Sequence, residues 1–273
     1  MNAAATPVDL PRGEGRVHPL RVFGALLLRD VYVMRRQGVF FLIQTTMQPI
    51  LFVTVFGFLL PRMGFVQRGY TSSLLPGILA VSLTLAAIQG VALPLVQDFA
   101  ATREIEDRLL APMPTWMVAA EKIVAGVLQG IFAALVVLPV GRLIMGPIPG
   151  LTLAHVGTVL AVAVLGSAAF SSLGLLLGTG IDPRQIGLMF SVIVTPMIFF
   201  GCTYYPWRGL DAVPVVKYLV LVNPLVYVAE GMRGALTPSM PHMPVPVVLA
   251  ALAGLTVLFG WLGVRGFDRR AIG

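Results

Sequence analysis

Charge is what this sequence has least of. Only 11% of its 273 residues are Asp, Glu, Lys or Arg, against 57% hydrophobic, and the mean hydropathy is +0.89. A soluble domain carries about 25% charged residues, so the polar surface here is too small to coat a globule of this length. Cys202 is the only cysteine, which excludes an intrachain disulfide and leaves it as a small packing residue. His18, His155 and His242 are far apart and lack ligand spacing, which argues against a metal site. Strict period-2 alternation is missing, which argues against a β-barrel. The first 38 residues hold no short apolar core with a small-residue cleavage site, so no processing is expected. Lysine is almost absent. Lys122 and Lys217 stand in Glu-Lys-Ile and Val-Lys-Tyr, and neither belongs to a Gly-rich phosphate cradle ending in Lys-Ser/Thr. This chain is therefore not expected to hydrolyse ATP by itself.

What is present is apolar sequence in long runs. A helix crossing the ~30 Å hydrocarbon core needs roughly 20 mostly apolar residues. Six stretches qualify, at about 39–60, 74–96, 121–144, 153–178, 187–205 and 246–264. The expected fold is an all-α integral membrane protein, with a tail over 1–19 and a single transmembrane domain over 20–273. The interiors of the six runs hold no Asp, Glu, Lys, Arg or His. Proton relays and most chemistry in lipid need such groups, which counts against an ion-coupled carrier or channel. Ser167, Ser171 and Ser172 have no His or Lys near them in sequence to activate a nucleophile, which counts against an intramembrane enzyme. With the expected spans, 13 of the 19 Lys and Arg fall on one side, so both termini are expected in the cytoplasm. The same asymmetry accounts for the net charge of +7 without a nucleic-acid partner, because basic flanks suit an anionic leaflet.

Four segments stand out from this background. From Leu20, a helix places Leu20, Phe23, Leu26, Leu27, Val31 and Met34 on one arc and Arg21, Arg29, Arg35 and Arg36 opposite; Leu28, Asp30 and Tyr32 break the pattern. Such a helix suits the headgroup plane, either as a plain basic flank or as an interfacial helix that also touches a cytoplasmic partner. In the first run, Gln44 and Gln48 need partners in lipid, from another helix or from a pathway. Between the second and third runs, Gln97–Lys122 holds five of the chain's 12 acidic residues. Its Arg103–Asp107 and Glu104–Arg108 pairs support an exposed helix, while Phe99, Thr102, Ile105, Leu109 and Leu110 share an arc interrupted by Asp98 and Glu106. Pro112 and Pro114 end that helix, and Thr115 is placed to cap the next. The fourth segment, Tyr205–Pro244, contains two apolar helical stretches, Val213–Val222 and Leu225–Leu236, each too short to cross. Asn223 can cap the second, with Pro224 in its first turn. Glu230 and Arg233 form an i,i+3 pair there, open to a structural or a gating reading. Tyr204, Tyr205, Trp207 and Tyr218 supply an aromatic belt.

Taken together, the amphipathic N-terminal helix, the six runs, Glu104–Pro112 (EIEDRLLAP) after the second run and Asn223–Leu236 (NPLVYVAEGMRGAL) before the last resemble the permease subunit of an ABC transporter, of the type-2 exporter superfamily. The resemblance spans about Arg21 to Arg270. It implies two permease chains paired with two copies of an ATPase subunit that binds ATP and Mg, in the inner membrane of a prokaryote. It assigns ATPase coupling to Phe99, Arg103, Glu104, Ile105, Glu106, Asp107, Arg108 and Leu109, with the helix bearing Arg21, Arg29, Arg35 and Arg36 also reaching the ATPase. It makes Val213–Val222 and Leu225–Leu236 re-entrant external half-helices, with Asn223, Pro224, Tyr227, Glu230 and Arg233 as an outer gate. Many relatives carry Gly-Thr after a Glu-Arg-Glu-like run, and this chain departs from that pattern at Asp107–Leu109. The charge-free runs suit an amphipathic drug or lipid as cargo, with a lipid-linked glycan as the alternative.

Overall fold

The computed structural model describes residues 18–36, 38–66, 69–99 and 113–272. The expected tail over 1–17 and the coupling residues Arg103, Glu104, Ile105, Glu106, Asp107, Arg108 and Leu109 lie outside the described residues. Among the described residues every regular element is helical.

α1 (Pro19–Arg36) runs into α2 (Gly38–Phe52), which continues as a π-wound stretch Val53–Leu59 and a last turn Leu60–Arg62. α3 (Tyr70–Gln97), α4 (Thr115–Met145), α5 (Val156–Gly180) and α9 (Val245–Ile272) are each long and apolar enough to cross a membrane. The run expected at 187–205 is shorter and irregular. Its helix, α6, is built from Ile186–Met189, the π-wound Phe190–Val194 and Thr195–Phe199. Residues 200–205 leave the helix and turn back into the protein, where Gly201, Cys202 and Thr203 are buried. Together α6 rises only about 21 Å at 1.5 Å per residue. π-winding is rare and tends to sit at functional places; here it marks the first and the fifth of the expected spans.

The bundle is organised around α3 and α5, which pack on each other and on α4 and α9. The close approach comes from small side chains. Gly166, Ser167, Ala169, Ser171, Ser172 and Gly174 of α5 are all buried, and between apolar helices in lipid such residues allow tight packing. Two connections are tight. Gly146 and Gly150 take left-handed backbone conformations (φ 76° and 71°) around Pro147-Ile148-Pro149, the short link expected between the third and fourth spans. At the other end of α5, Asp182 Oδ1 accepts from the Arg184 amide at 2.9 Å and fixes the turn to α6.

The half-helices differ from each other more than their sequences suggest. The first consists of a 3₁₀ stretch Trp207–Ala212, then α7 (Pro214–Leu219) and another 3₁₀ turn Val220–Val222. It carries a bare apolar face, with Val215 79% and Val222 82% exposed. α8 (Pro224–Leu236) turns from it by 101° and plunges into the core against α3, α5 and α9. All but one of its 13 residues are buried, the exception being the half-buried Tyr227.

Thr115 does not cap α4. Pro114 occupies the cap position in extended backbone (φ −66°, ψ 147°) and Thr115 begins the helix, so its hydroxyl is committed elsewhere. The helix also starts six residues ahead of the expected span. Glu121 and Lys122 therefore sit inside α4, well past its first turn, and both are buried.

Candidate functional site

Two clusters of polar side chains occupy opposite ends of the bundle. The first lies where α1, the end of α3, the start of α4, the end of α5 and the end of α9 converge. Lys122 of α4 is 5% exposed, and its Nζ lies 3.5 Å from Asp30 Oδ2 and 3.8 Å from Asp98 Oδ2. One cation thus joins α1, α4 and the first stem of the segment 100–112. This gives Asp30 its place: it interrupts the apolar arc of α1 because the helix it packs on presents Lys122. Arg21, Arg29, Arg35 and Arg36 are exposed, while Phe23, Leu26, Leu27, Val31 and Met34 are half-buried. α1 is amphipathic as its pattern implies, with Leu20 left exposed. Phe99, the one coupling candidate among the described residues, packs against Phe267 with ring centroids 6.2 Å apart. Gln48 is half-buried in α2, while the Gln44 side chain is outside the described set.

The second cluster is built on α8. Asn223 caps it, its Oδ1 accepting from the Leu225 amide at 3.0 Å. The Asn223 Nδ2 donates to Met197 O at 2.7 Å, which ties the cap to the end of α6. Tyr227 donates its hydroxyl to Leu221 O at 2.8 Å, bridging the 101° bend. Farther in, Glu230 and Arg233 are fully buried and hydrogen-bonded to each other. Glu230 Oε1 also accepts from the Trp207 amide and Oε2 from the Met243 amide, both at 2.8 Å. Arg233 Nη2 donates to Cys202 O at 3.0 Å and to Ser73 O at 3.3 Å.

One ion pair therefore fixes the start of the half-helix segment, its end, the turn after α6 and the first turn of α3. Burying two charges is tolerated only where hydrogen bonds satisfy the remaining atoms, and four backbone groups do most of that here. Sequence spacing exposed the pair itself. Its backbone partners, 23, 13, 31 and 160 residues away, carry no local signal.

The aromatic residues divide in the same way. Tyr204 packs on Phe52 of α2 and on Phe56 of the π-wound stretch that continues it, with ring centroids 5.3 and 5.6 Å apart. Trp207 donates its indole N–H to Lys217 O at 3.0 Å, and Tyr218 is exposed. Among the described residues, no group of three His, Cys, Asp or Glu could hold a metal ion. The hydroxyls of Ser167, Ser171 and Ser172 are buried between helices and find no hydrogen-bond partner among the described residues. The charged side chains that the two clusters bring together, Lys122 with Asp30 and Asp98 and Arg233 with Glu230, tie helices to one another.

A first measurable consequence concerns the cap. Asn223→Ala removes both the Leu225 and the Met197 hydrogen bonds. The loss of an Asn cap costs about 0.5–2 kcal/mol, so the purified chain is expected to melt at a lower temperature in detergent. Asn223→Asp keeps the cap acceptor and is expected to lose less.

The model of ABC-2 type transporters matches residues 21–237. The chain is also 30% identical over 200 residues to the inner membrane transport permease YadH of Escherichia coli K12, covering 70% of this chain and 75% of that protein. The YadH proteins of Escherichia coli O157:H7 and Shigella flexneri match to the same extent. With a helical bundle carrying several membrane-length helices and a family match over most of its length, the protein belongs to the ABC-2 type transporter family, as a multi-pass membrane permease subunit.

Proposed function

We propose that this chain forms the translocation pathway of an ATP-driven exporter in the inner membrane. In this reading the chain crosses the membrane six times, with both termini and the segment 100–112 on the cytoplasmic side and α7 with α8 at the outer face. A separate ATPase subunit, present in two copies, binds ATP and Mg and engages the segment 100–112 and the exposed arginine face of α1. The observation that carries this reading is the gathering of α1 and the stems of that segment at one end of the bundle, joined through Lys122. A soluble partner docking there would meet several helices at once.

A second copy of the chain completes the pathway, against the first and fifth spans. These carry bare apolar faces, Ile43, Met47 and Leu51 on α2 and Leu188, Val192 and Phe199 on α6. The half-helix pair forms the outer gate, and its two parts divide the work. α8 is the fixed arm, locked by Glu230 and Arg233, while α7 with its bare apolar face is the arm that can shift. The cargo is an amphipathic drug or lipid, in keeping with buried ion pairs that, among the described residues, hold helices to one another.

Co-expression with the cognate ATPase tests the reading. The chain alone is expected to show no ATP hydrolysis, and the complex to show it. The double substitution Ile105→Asp with Leu109→Asp is expected to lower the permease's effect on hydrolysis by roughly tenfold, within the usual span of coupling energies, while membrane insertion is unchanged. Unaltered hydrolysis in that variant would remove the coupling role of the segment. Mass spectrometry of lipids and small molecules retained by the complex checks the cargo class.

A further inference from the structure

Beyond the main core, a second, smaller hydrophobic cluster lies at the end of the bundle where α1 joins α4. Its buried members are Val91 and Leu95 of α3, Val118 and Ala119 of α4, Leu175 of α5 and Phe267 of α9. Phe99 and Met113 pack against it. These two stand on either side of the segment 100–112, so both stems of that segment rest on one small core with Phe267 in it.

The last turns of α9 add polar holds to each stem. Asp268 Oδ1 accepts from the Thr115 hydroxyl at 2.6 Å, which takes the second stem. Arg270 stacks its guanidinium 4.8 Å from the centroid of the Phe99 ring, which takes the first. The same Arg270 Nη1 donates to Thr179 O at 2.9 Å, Ile181 O at 3.2 Å and Gly178 O at 3.3 Å, the carbonyls left open at the end of α5. At 100° per residue Asp268 and Arg270 project about 200° apart, which is why one helix end can reach α4 on one side and α5 on the other. Gly266 makes the approach possible, since a Cβ there would stand 2.7 Å from Thr179 Oγ1. A basic residue that merely caps a helix needs only the carbonyls. This one also lies on the ring that opens the segment 100–112.

We infer that the end of α9 is a positioning clamp for energy coupling. Asp268, Arg270 and Phe267 hold the two stems of the segment 100–112 to each other and to the end of α5, so that a displacement imposed on the segment reaches the turn 181–185 and α6 as one movement. This rests on the proposed docking of an ATPase at that segment. Arg270 and Asp268 act through other groups and touch no cargo.

The test uses the full permease–ATPase complex in membranes. A reporter cysteine is introduced by Leu188→Cys, at an exposed position just after the turn 181–185, in a Cys202→Ser background. The readout is its rate of labelling by a maleimide with and without ATP. With the clamp intact, ATP is expected to change that rate. Arg270→Gln is expected to reduce the ATP-dependent change roughly fivefold or more, the lower range of ordinary coupling energies, with the complex still copurifying. Arg270→Lys, which keeps a donor for α5 and a cation over Phe99, is expected to recover much of it. Thr115→Val, which removes the hold on the other stem without touching α5, is expected to reduce the response as well and serves if Arg270→Gln does not accumulate. A full ATP response in both Arg270→Gln and Thr115→Val overturns the clamp and leaves ATPase docking standing. Failure of the unsubstituted chain to copurify with the ATPase overturns both.

Discussion

Glu230→Ala is expected to be among the most damaging single substitutions in this chain. It strips the Trp207 and Met243 amides of their acceptor and leaves the buried Arg233 guanidinium without its counter-charge. Removing one partner of a buried ion pair typically costs about 3–5 kcal/mol, which is a large part of the net stability of a membrane bundle. Arg233→Met is expected to cost less, because two backbone N–H groups stay on the carboxylate. The double variant is expected not to recover fully, because the Trp207 and Met243 amides remain without an acceptor. Thermal unfolding of the purified variants, together with membrane abundance, gives the order. If the double variant were as stable as the parent, the carboxylate would matter only for neutralising Arg233, and its role as a hub for the half-helix segment would have to be given up.

Gly77→Ala is expected to disturb the same region from the opposite side. A Cβ on Gly77 would stand 1.8 Å from the carbonyl oxygen of Thr203, so α3 passes directly against the backbone of the turn after α6. That turn has no slack. Cys202 is held at φ 53°, a left-handed conformation that costs a residue with a side chain about 1–3 kcal/mol, and its carbonyl accepts from Arg233. An added methyl has to displace backbone, so the expected cost is at or above the upper end of the ~1–3 kcal/mol range for overpacking. Gly77→Ala and Glu230→Ala loosen one shared network, and their effects are expected to be less than additive. Strict additivity in a double-mutant cycle would mean that the Cys202–Thr203 turn and the ion pair are held independently.

Much of this was legible without coordinates because the bilayer imposes a length and a polarity on each crossing helix. The runs at 74–96, 121–144, 153–178 and 246–264 each appear as a helix of membrane length, and Asn223-Pro224 marks the bend and cap it was expected to mark. Local chemistry was less reliable where a distant group competes for the same side chain. Thr115 has the composition of a cap, yet Asp268, 153 residues away, takes its hydroxyl. Asp30 reads as a flaw in an amphipathic pattern until Lys122 is placed opposite it. The run at 187–205 reads as one span because every residue in it is compatible with lipid. Hydropathy carries no signal that the chain will leave the helix at Phe199 and turn inward.

The sequence alone determined that the chain is helical and membrane-embedded, and that it lacks a nucleotide cradle. It also determined which segments interrupt the apolar runs. Each of these follows from composition and local period, which act over a few turns. The tertiary structure decided what the interruptions hold. It put α8 inside the core, while its partner α7 keeps a bare face. It turned Glu230 and Arg233 into a knot across four backbone segments and brought the end of α9 between both stems of the segment 100–112. Those outcomes depend on contacts between residues tens to more than a hundred positions apart. In a bundle where nearly every helix surface is equally apolar, only packing selects among them.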